Sequence, residues 1–458
     1  MLDWIRRPND HLTARQAGSV TESVWVTIAC ALLIVVGKCW YVHRTASPFP
    51  FWDQWDGEVL VLMRHYLDGS LVWTDFLTPA NEHRIVYTRI LNLGAFVLQG
   101  ERMNCLLPIY VQALIHSASG VLLLRELNRE RPHWFLSLAL ALPFAWPVSS
   151  ENMFWSYQSQ VYIQILSFTL ATIWLAKPDY SLRRMLLLAA FVWLNMATTL
   201  LLPVLGICAS YLHFTATRDQ RHLRNLALYA TLAGAIYLTI PFNPAHAAMK
   251  AASFGAFLTE LKLYLERPLG AGWLMWTPFA WSSWQILVRK NRSPLLITPW
   301  LLHTLVLCLS ALASYGRQGG VPDRYNDYIA LAYAASVLTV CQATSMRSDS
   351  ISLRAMTQKL ALLVGVGLVA YAGYARIDGD RKIWVRRYAN GTKAVAAVYA
   401  AFPLSAEAAQ AQLKQSGQNV YPSDEALAQL LVHPASAYMF RNWIPPESRV
   451  AVSRPAPR

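Results

Sequence analysis

Residues 23–42 read SVWVTIACALLIVVGKCWYV, a run whose one charged side chain is Lys38. A helix needs about 20 apolar residues to cross the hydrocarbon core of a bilayer, and this run has that length. Further apolar stretches follow at 85–99, 105–124, 134–148, 159–176, 185–214, 225–242, 269–288, 294–314, 326–344 and 360–376. The repetition predicts an all-α polytopic membrane protein with about eleven spans. The 185–214 stretch is too long for one upright span and should be two short helices hinged near Thr198 to Pro203. The 85–99 stretch is short and carries Arg89.

The whole chain agrees. Of its 458 residues, 55% are hydrophobic and 14% charged, against roughly 25% charged in a soluble domain. The 18 Trp, 21 Tyr and 16 Phe suit a protein with two membrane interfaces. A soluble multidomain enzyme, a disordered chain and a disulfide scaffold are all poor fits. The net charge of +14 does not point to nucleic acid. Its arginines sit in short connectors such as Arg183-Arg184, Arg218 to Arg224 and Arg289 to Arg292, where cytoplasmic loops meet anionic lipid. The six cysteines have no CxxC or metal-site spacing. No GxxxxGK[ST], HExxH, GxSxG or GxGxxG motif stands in context, which argues against ATP-driven transport, zinc proteolysis and serine hydrolysis.

The segments divide as a cytoplasmic leader (1–22), a transmembrane domain (23–376) and an extracytoplasmic C-terminal segment (377–458). No cleavable signal is expected, because the first apolar run is long and no small-residue cleavage site follows it. With the basic leader inside, residues 44–84 form a first outer loop. Two full spans between 84 and 125 would then put the loop at 125–133 outside. Either one of those spans is incomplete or the nearly cancelling charges of that loop do not direct topology; we take the second.

The outer loop carries the candidate chemistry. Its acids are Asp53, Asp56, Glu58, Asp68, Asp75 and Glu82, against Arg44, Arg64 and Arg84, so it is net acidic in a basic protein. Asp53 and Asp56 are three apart and share a face on a helical turn. Trp55, Val59, Leu62, Met63, Tyr66 and Leu67 then recur at helical spacing, predicting an amphipathic helix in the interface plane. Solvated acids and a Trp anchor are the plain alternative; the paired acids on one aromatic-flanked face favour a site. In Asn81-Glu82-His83-Arg84, His83 and Arg84 could meet a phosphate, or Arg84 could snorkel at a helix end. The polar island Glu151 to Gln160 offers Glu151, Trp155 and Gln158 to a sugar, or is an ordinary interhelical turn. Gly316 to Tyr325 puts Arg317 and Arg324 in a Gly-rich outer loop, against the positive-inside trend, for which a phosphate ligand is a reason.

A first span, an outer loop with paired acids, a juxtamembrane amphipathic helix and many further spans resemble the GT-C glycosyltransferases. Within that superfamily, Phe51 to Glu58, Asn81 to Arg84 with Thr88-Arg89, Glu151 to Gln160 and Gly316 to Tyr325 look like a bacterial branch. The general layout covers residues 20–376, the short motifs under a tenth of the chain. The resemblance implies inverting transfer of a sugar from a polyprenyl-phosphate donor to a cell-envelope glycan or lipid acceptor, at the outer face of the cytoplasmic membrane. By motif position Asp53 or Asp56 would be the base. His83, Arg84, Arg317, Arg324 and Tyr325 would hold the donor phosphate; Glu58, Glu82, Glu151, Trp155 and Gln158 would face sugar or acceptor. Gln54 and Trp55 separate the two acids, which are adjacent in many relatives, so which is the base stays open. No metal or other cofactor is required by the sequence, and a divalent metal is left open. The rivals are a transporter or flippase of lipid-linked sugars and a non-catalytic subunit of an envelope-polymer complex. Transporters favour inverted repeats and midplane charges; here the charges gather in loops and no two-half symmetry is visible.

Overall fold

A computed structural model of the protein describes residues 14–129, 132–146, 148–244, 248–267, 272–317, 319, 322–347, 378–416 and 421–456. The expected span at 360–376 and residues 1–13 of the leader lie outside them. The fold is all-α: among the described residues the one β feature is an isolated bridge between Ala80 and His83. The chain runs α1 (Ala14–Thr45), α2 (π-helical Trp55–Met63 continuing as Arg64–Leu67), α3 (Trp73–Leu77), α4 (Val86–Leu98), α5 (Leu106–Leu127), α6 (Trp134–Ala145), α7 (Ser150–Phe154) and α8 (Ser159–Leu175). It continues with α9 (Leu182–Trp193), α10 (Leu201–Thr217), α11 (Gln220–Leu238), α12 (Phe254–Leu265), α13 (Gly272–Ser283), α14 (Pro294–Gly316) and α15 (Asn326–Arg347). The last four are α16 (Asp378–Ala400), α17 (Ala406–Ser416), α18 (Asp424–Val432) and α19 (Pro434–Met439).

Among the described residues, four helical segments are long and apolar enough to cross a membrane: Thr21–Thr45, Leu106–Leu127, Ala197–Thr217 and Pro294–Gly316. The 185–214 run breaks between α9 and α10 at a 3₁₀ turn, Ala197–Leu200. Oxygen caps start several helices: Ser149, Asp219 and Ser253 accept from the backbone N–H of Asn152, Arg221 and Ala256, satisfying donors with no intrahelical partner. Gly206 lets α11 approach α10 closely, since a Cβ there would meet the Tyr229 ring at 2.6 Å. Small residues allow such approach where lipid offers no hydrophobic gain.

The 85–99 stretch is not a crossing, which corrects the topology taken above. Asn128 Nδ2, at the end of α5, donates to Thr27 Oγ1 near the start of α1 (3.3 Å). At the other end Cys105 N donates to Pro48 O (2.9 Å). α1 and α5 are therefore antiparallel neighbours, and residues 45–105 leave and return at one end of the bundle. α4, about 20 Å long by its rise, lies within that excursion, well short of the ~30 Å core. Its start is pinned by Val86 N to Leu194 O (3.0 Å), and just past its end Gly100 O accepts from Arg441 Nη2 (2.6 Å). Arg89 explains why an apolar helix stays there: Nη1 donates to the carbonyls of Phe76 (2.9 Å) and Thr78. Residues 125–129 and 132–133 thus fall at the end opposite residues 45–105.

Two cores result. One fills the bundle, with Leu140, Phe144, Phe168, Leu202, Leu301 and Leu331. The other joins the outer-loop excursion to the C-terminal helices: Trp55, Val59, Leu62, Met63 and Leu67 of α2 pack in one cluster with Val395, Tyr399, Leu431 and Phe440. The apolar face of α2 is thus covered by protein, not left to lipid. Burying each such side chain stabilises by about 1.5–3 kcal/mol.

Candidate active site

At the junction of these cores lies a cavity of about 580 Å³. Four separate stretches of polar sequence meet in it: Asp53; Asn81, Glu82 and His83; Trp155, Tyr157, Gln158 and Gln160; and Arg317, Arg324 and Tyr325. Lys250 completes the cations. The lip is apolar, with Tyr237, Leu238 and Phe242 all strongly exposed beside Leu312.

Local structure aims these groups. Trp52, immediately before Asp53, has φ 45°, a conformation rare for a bulky residue and one that costs of order 1–3 kcal/mol where surroundings enforce it. The next residue, Gln54, donates through Nε2 to Ser156 Oγ (2.6 Å) and Glu58 Oε2 (2.8 Å), tying the base of α2 to the Trp155–Gln158 island. Ile85 also has positive φ, 48°, and is held there by Asn195 O, which accepts from the N–H groups of Arg84 (3.1 Å) and Ile85 (2.9 Å). Ala197 N donates to His83 Nδ1 (3.2 Å), which puts the neutral ring's proton on Nε2, 3.6 Å from Glu82 Oε1. Gln112 Nε2 steadies the island by donating to Asn152 O (2.9 Å) and Trp155 O (3.3 Å).

Arg324 is held from two sides. Its Nη1 meets Glu151 Oε1 at 3.0 Å, and its carbonyl accepts from Asn152 Nδ2 at 2.7 Å. Burial works against the guanidinium charge, but Glu151, Tyr325 and Asp53 outweigh it and raise its pKa. Burial pushes Glu151 above the usual carboxylate range against the pull of Arg324. Tyr157 is likewise raised by burial, then by the charges of Asp53 and Glu58, so it stays a hydroxyl donor. Among the described residues Arg317 makes no side-chain hydrogen bond or ion pair, and Lys250 meets only the Tyr315 ring, 5.9 Å from its centroid. Among the described residues, then, Arg317 and Lys250 line the cavity without an ion pair, and Arg324 is anchored by one.

Several expected site residues are elsewhere. Asp56 does not line the cavity; its Oδ1 accepts from the Tyr421 hydroxyl of the C-terminal segment. The shared face expected of Asp53 and Asp56 is lost because the helix opens into π geometry at Trp55, whose i→i+5 bonding widens the turn. Glu58 is fully buried, and its oxygens accept from Gln54 and from Asn92 Nδ2 (2.7 Å). Contact of Glu58 with sugar therefore gives way to a role inside the protein. Glu151 serves Arg324. Arg84 stacks on Trp193, 4.4 Å from the ring centroid, and donates to Thr239 O. Lys250 and Tyr157 were not singled out from the sequence: Lys250 is a solitary lysine among alanines, and Tyr157 is one of 21 tyrosines. Among the described residues no three His, Cys, Asp or Glu side chains gather as a metal-ligand set.

No family model matches the sequence, and no curated protein matches it. Among solved structures the chain is similar to the crystal structure of the Archaeoglobus fulgidus oligosaccharyltransferase complex with Zn and sulfate. Identity is 14% and the TM-score 0.43, over 85% of this chain and 57% of that one. The chain therefore spans a little over half the length of that structure.

Proposed function

We propose that this protein is a GT-C-type glycosyltransferase that moves a sugar from a polyprenyl-phosphate carrier to a hydroxyl of a glycan or lipid acceptor. The reaction would take place at the outer face of a bacterial cytoplasmic membrane. One observation carries the reading: a single cavity is lined both by the carboxylate Asp53 and by Arg317, Arg324 and Lys250, and its lip is apolar where an isoprenoid would have to leave. Asp53 takes the proton of the acceptor hydroxyl as that oxygen attacks the anomeric carbon. The bond from that carbon to the phosphate oxygen breaks, and the electron pair leaves on polyprenyl phosphate. Arg317, Arg324 and Lys250 meet that charge in place, which is preorganised electrostatic stabilisation. Trp155 offers a ring face to the sugar, and Gln158 and the Tyr157 hydroxyl offer hydrogen bonds. Asp56 lies outside the cavity lining and acts through Tyr421. A guanidinium matches phosphate oxygens in a two-pronged contact that an ammonium cannot reproduce.

The test is binding of farnesyl phosphate to the purified protein. Arg317→Ala and Arg324→Ala should each weaken it by about tenfold or more, with Arg→Lys recovering only part. Unchanged affinity in both Ala variants would remove the phosphate site.

A further inference from the structure

Lys250 stands just before α12, and Arg317 and Arg324 lie in the loop between α14 and α15. α12 joins the two. Ser253 caps its start, and Ala251 N, next to Lys250, donates to Tyr315 O at the end of α14 (2.8 Å). From there one side of the helix follows the arginine loop. Glu260 Oε1 accepts from Gly319 N, shortly after Arg317 (3.1 Å). Tyr264 is buried, and its ring meets the Tyr325 ring edge-on, with centroids 5.5 Å apart. Arg267, in the turn that closes the helix, is also buried and donates through Nη1 to Asn326 Oδ1 (2.8 Å).

Glu260 and Tyr264 are four apart and share a side of the helix, and Arg267 continues that side into the closing turn. Phe254 and Leu258, on the opposite side, are exposed. The helix has a seat of its own, because Trp276 Nε1 of α13 donates to Leu265 O (3.2 Å). Three successive contacts from one element therefore set the path of the loop that carries Arg317, Arg324 and Tyr325. A cation stabilises phosphate charge best when it is held at its distance before the ligand arrives. We infer that Glu260, Tyr264 and Arg267 are positioning residues: their side of α12 braces the arginine loop and, with Lys250 at its head, sets the spacing of all three cations for the donor phosphate. This rests on the reading of those cations as the phosphate site. Glu151 fixes the Arg324 guanidinium, whereas α12 fixes the loop that presents it.

The experiment measures the affinities of farnesyl phosphate and of farnesol by tryptophan fluorescence in the full-length purified protein. Farnesol has the same chain and no phosphate, so it reports the apolar lip alone. Tyr264→Ala and Arg267→Ala should each weaken farnesyl phosphate by about fivefold and leave farnesol within about twofold of native. Tyr264→Phe should keep native affinity for both, because the ring makes the contact and the hydroxyl has no hydrogen-bond partner among the described residues. Native farnesyl phosphate affinity in either folded alanine variant overturns the inference. So does an equal loss of farnesol, which describes a helix that only holds the fold. If the alanine variants do not purify, Glu260→Ala decides, since Glu260 is only half-buried. Phosphate binding weakened by about threefold with farnesol unchanged then supports the brace, and native binding overturns it. Unchanged farnesyl phosphate binding in both Arg317→Ala and Arg324→Ala would remove the phosphate site and this inference together. Weakened binding there, with native binding in the α12 variants, defeats this inference alone.

Discussion

Asp56 is occupied by the C-terminal segment: its carboxylate accepts from Tyr421, whose own ionisation burial and Asp56 push up to about 12. If that bond is how Asp56 acts, Asp56→Asn and Tyr421→Phe should each lower transfer by about tenfold or less. The double variant should be no worse than the more damaging single, because both break one interaction; full additivity in the cycle would show two separate roles. Glu58 makes a different demand. Burial raises its carboxyl from the ordinary 4.5 to about 7, against the pull of Asn92, Gln54 and Arg89. The folded protein therefore holds a proton that the unfolded chain has lost. Its contribution to stability is whole below about pH 4.5 and disappears as pH rises through about 7. The thermal midpoint should fall between pH 5 and pH 8, and Glu58→Gln should flatten that fall. An equally steep fall in the variant would assign the titration to another group.

α4 decides the topology at the scale of the element. Because it stays at the end of the bundle where α1 closes and α5 opens, cysteines placed at Ser70 and Arg102 should react with an impermeant maleimide from the same side. A cysteine at Arg129 should react only after permeabilisation. Labelling of Ser70→Cys and Arg102→Cys from opposite sides would make α4 a crossing. The sequence could not tell these apart, because apolar composition reports a buried or lipid-facing helix without its depth. Arg89 was the available sign, but its partners are carbonyls, at Phe76 and Thr78, which have no signature in sequence. The cover over α2 was equally hidden: the periodicity of Trp55 to Leu67 shows one apolar face, not that Tyr399 and Phe440, over 300 positions on, would fill it. The polar islands were legible for the opposite reason. Polar residues interrupting an apolar chain are conspicuous, and Asp53, Glu82, His83, Trp155, Gln158, Arg317, Arg324 and Tyr325 all line one cavity. Within each island, the division between residues that face the cavity and residues that hold them depends on local backbone. The π turn at Trp55 separates Asp53 from Asp56, and the Gln54 bonds draw Glu58 inward.

For the whole molecule, the bundle supplies Arg324 and the apolar lip, the excursion at 45–105 supplies Asp53, and the C-terminal helices press α2 into place. The cavity sits where the bundle meets that excursion, which brings an acid and cations distant in sequence to one place. That claim reduces to the role of Asp53 as base. The most direct measurement is transfer by the purified protein at saturating polyprenyl-phosphate sugar, for the native chain and Asp53→Asn, with farnesyl phosphate affinity measured on both. Asn keeps shape and hydrogen bonding but accepts no proton, so transfer should fall by about 10²-fold or more while farnesyl phosphate still binds. Near-native transfer by Asp53→Asn would contradict the account.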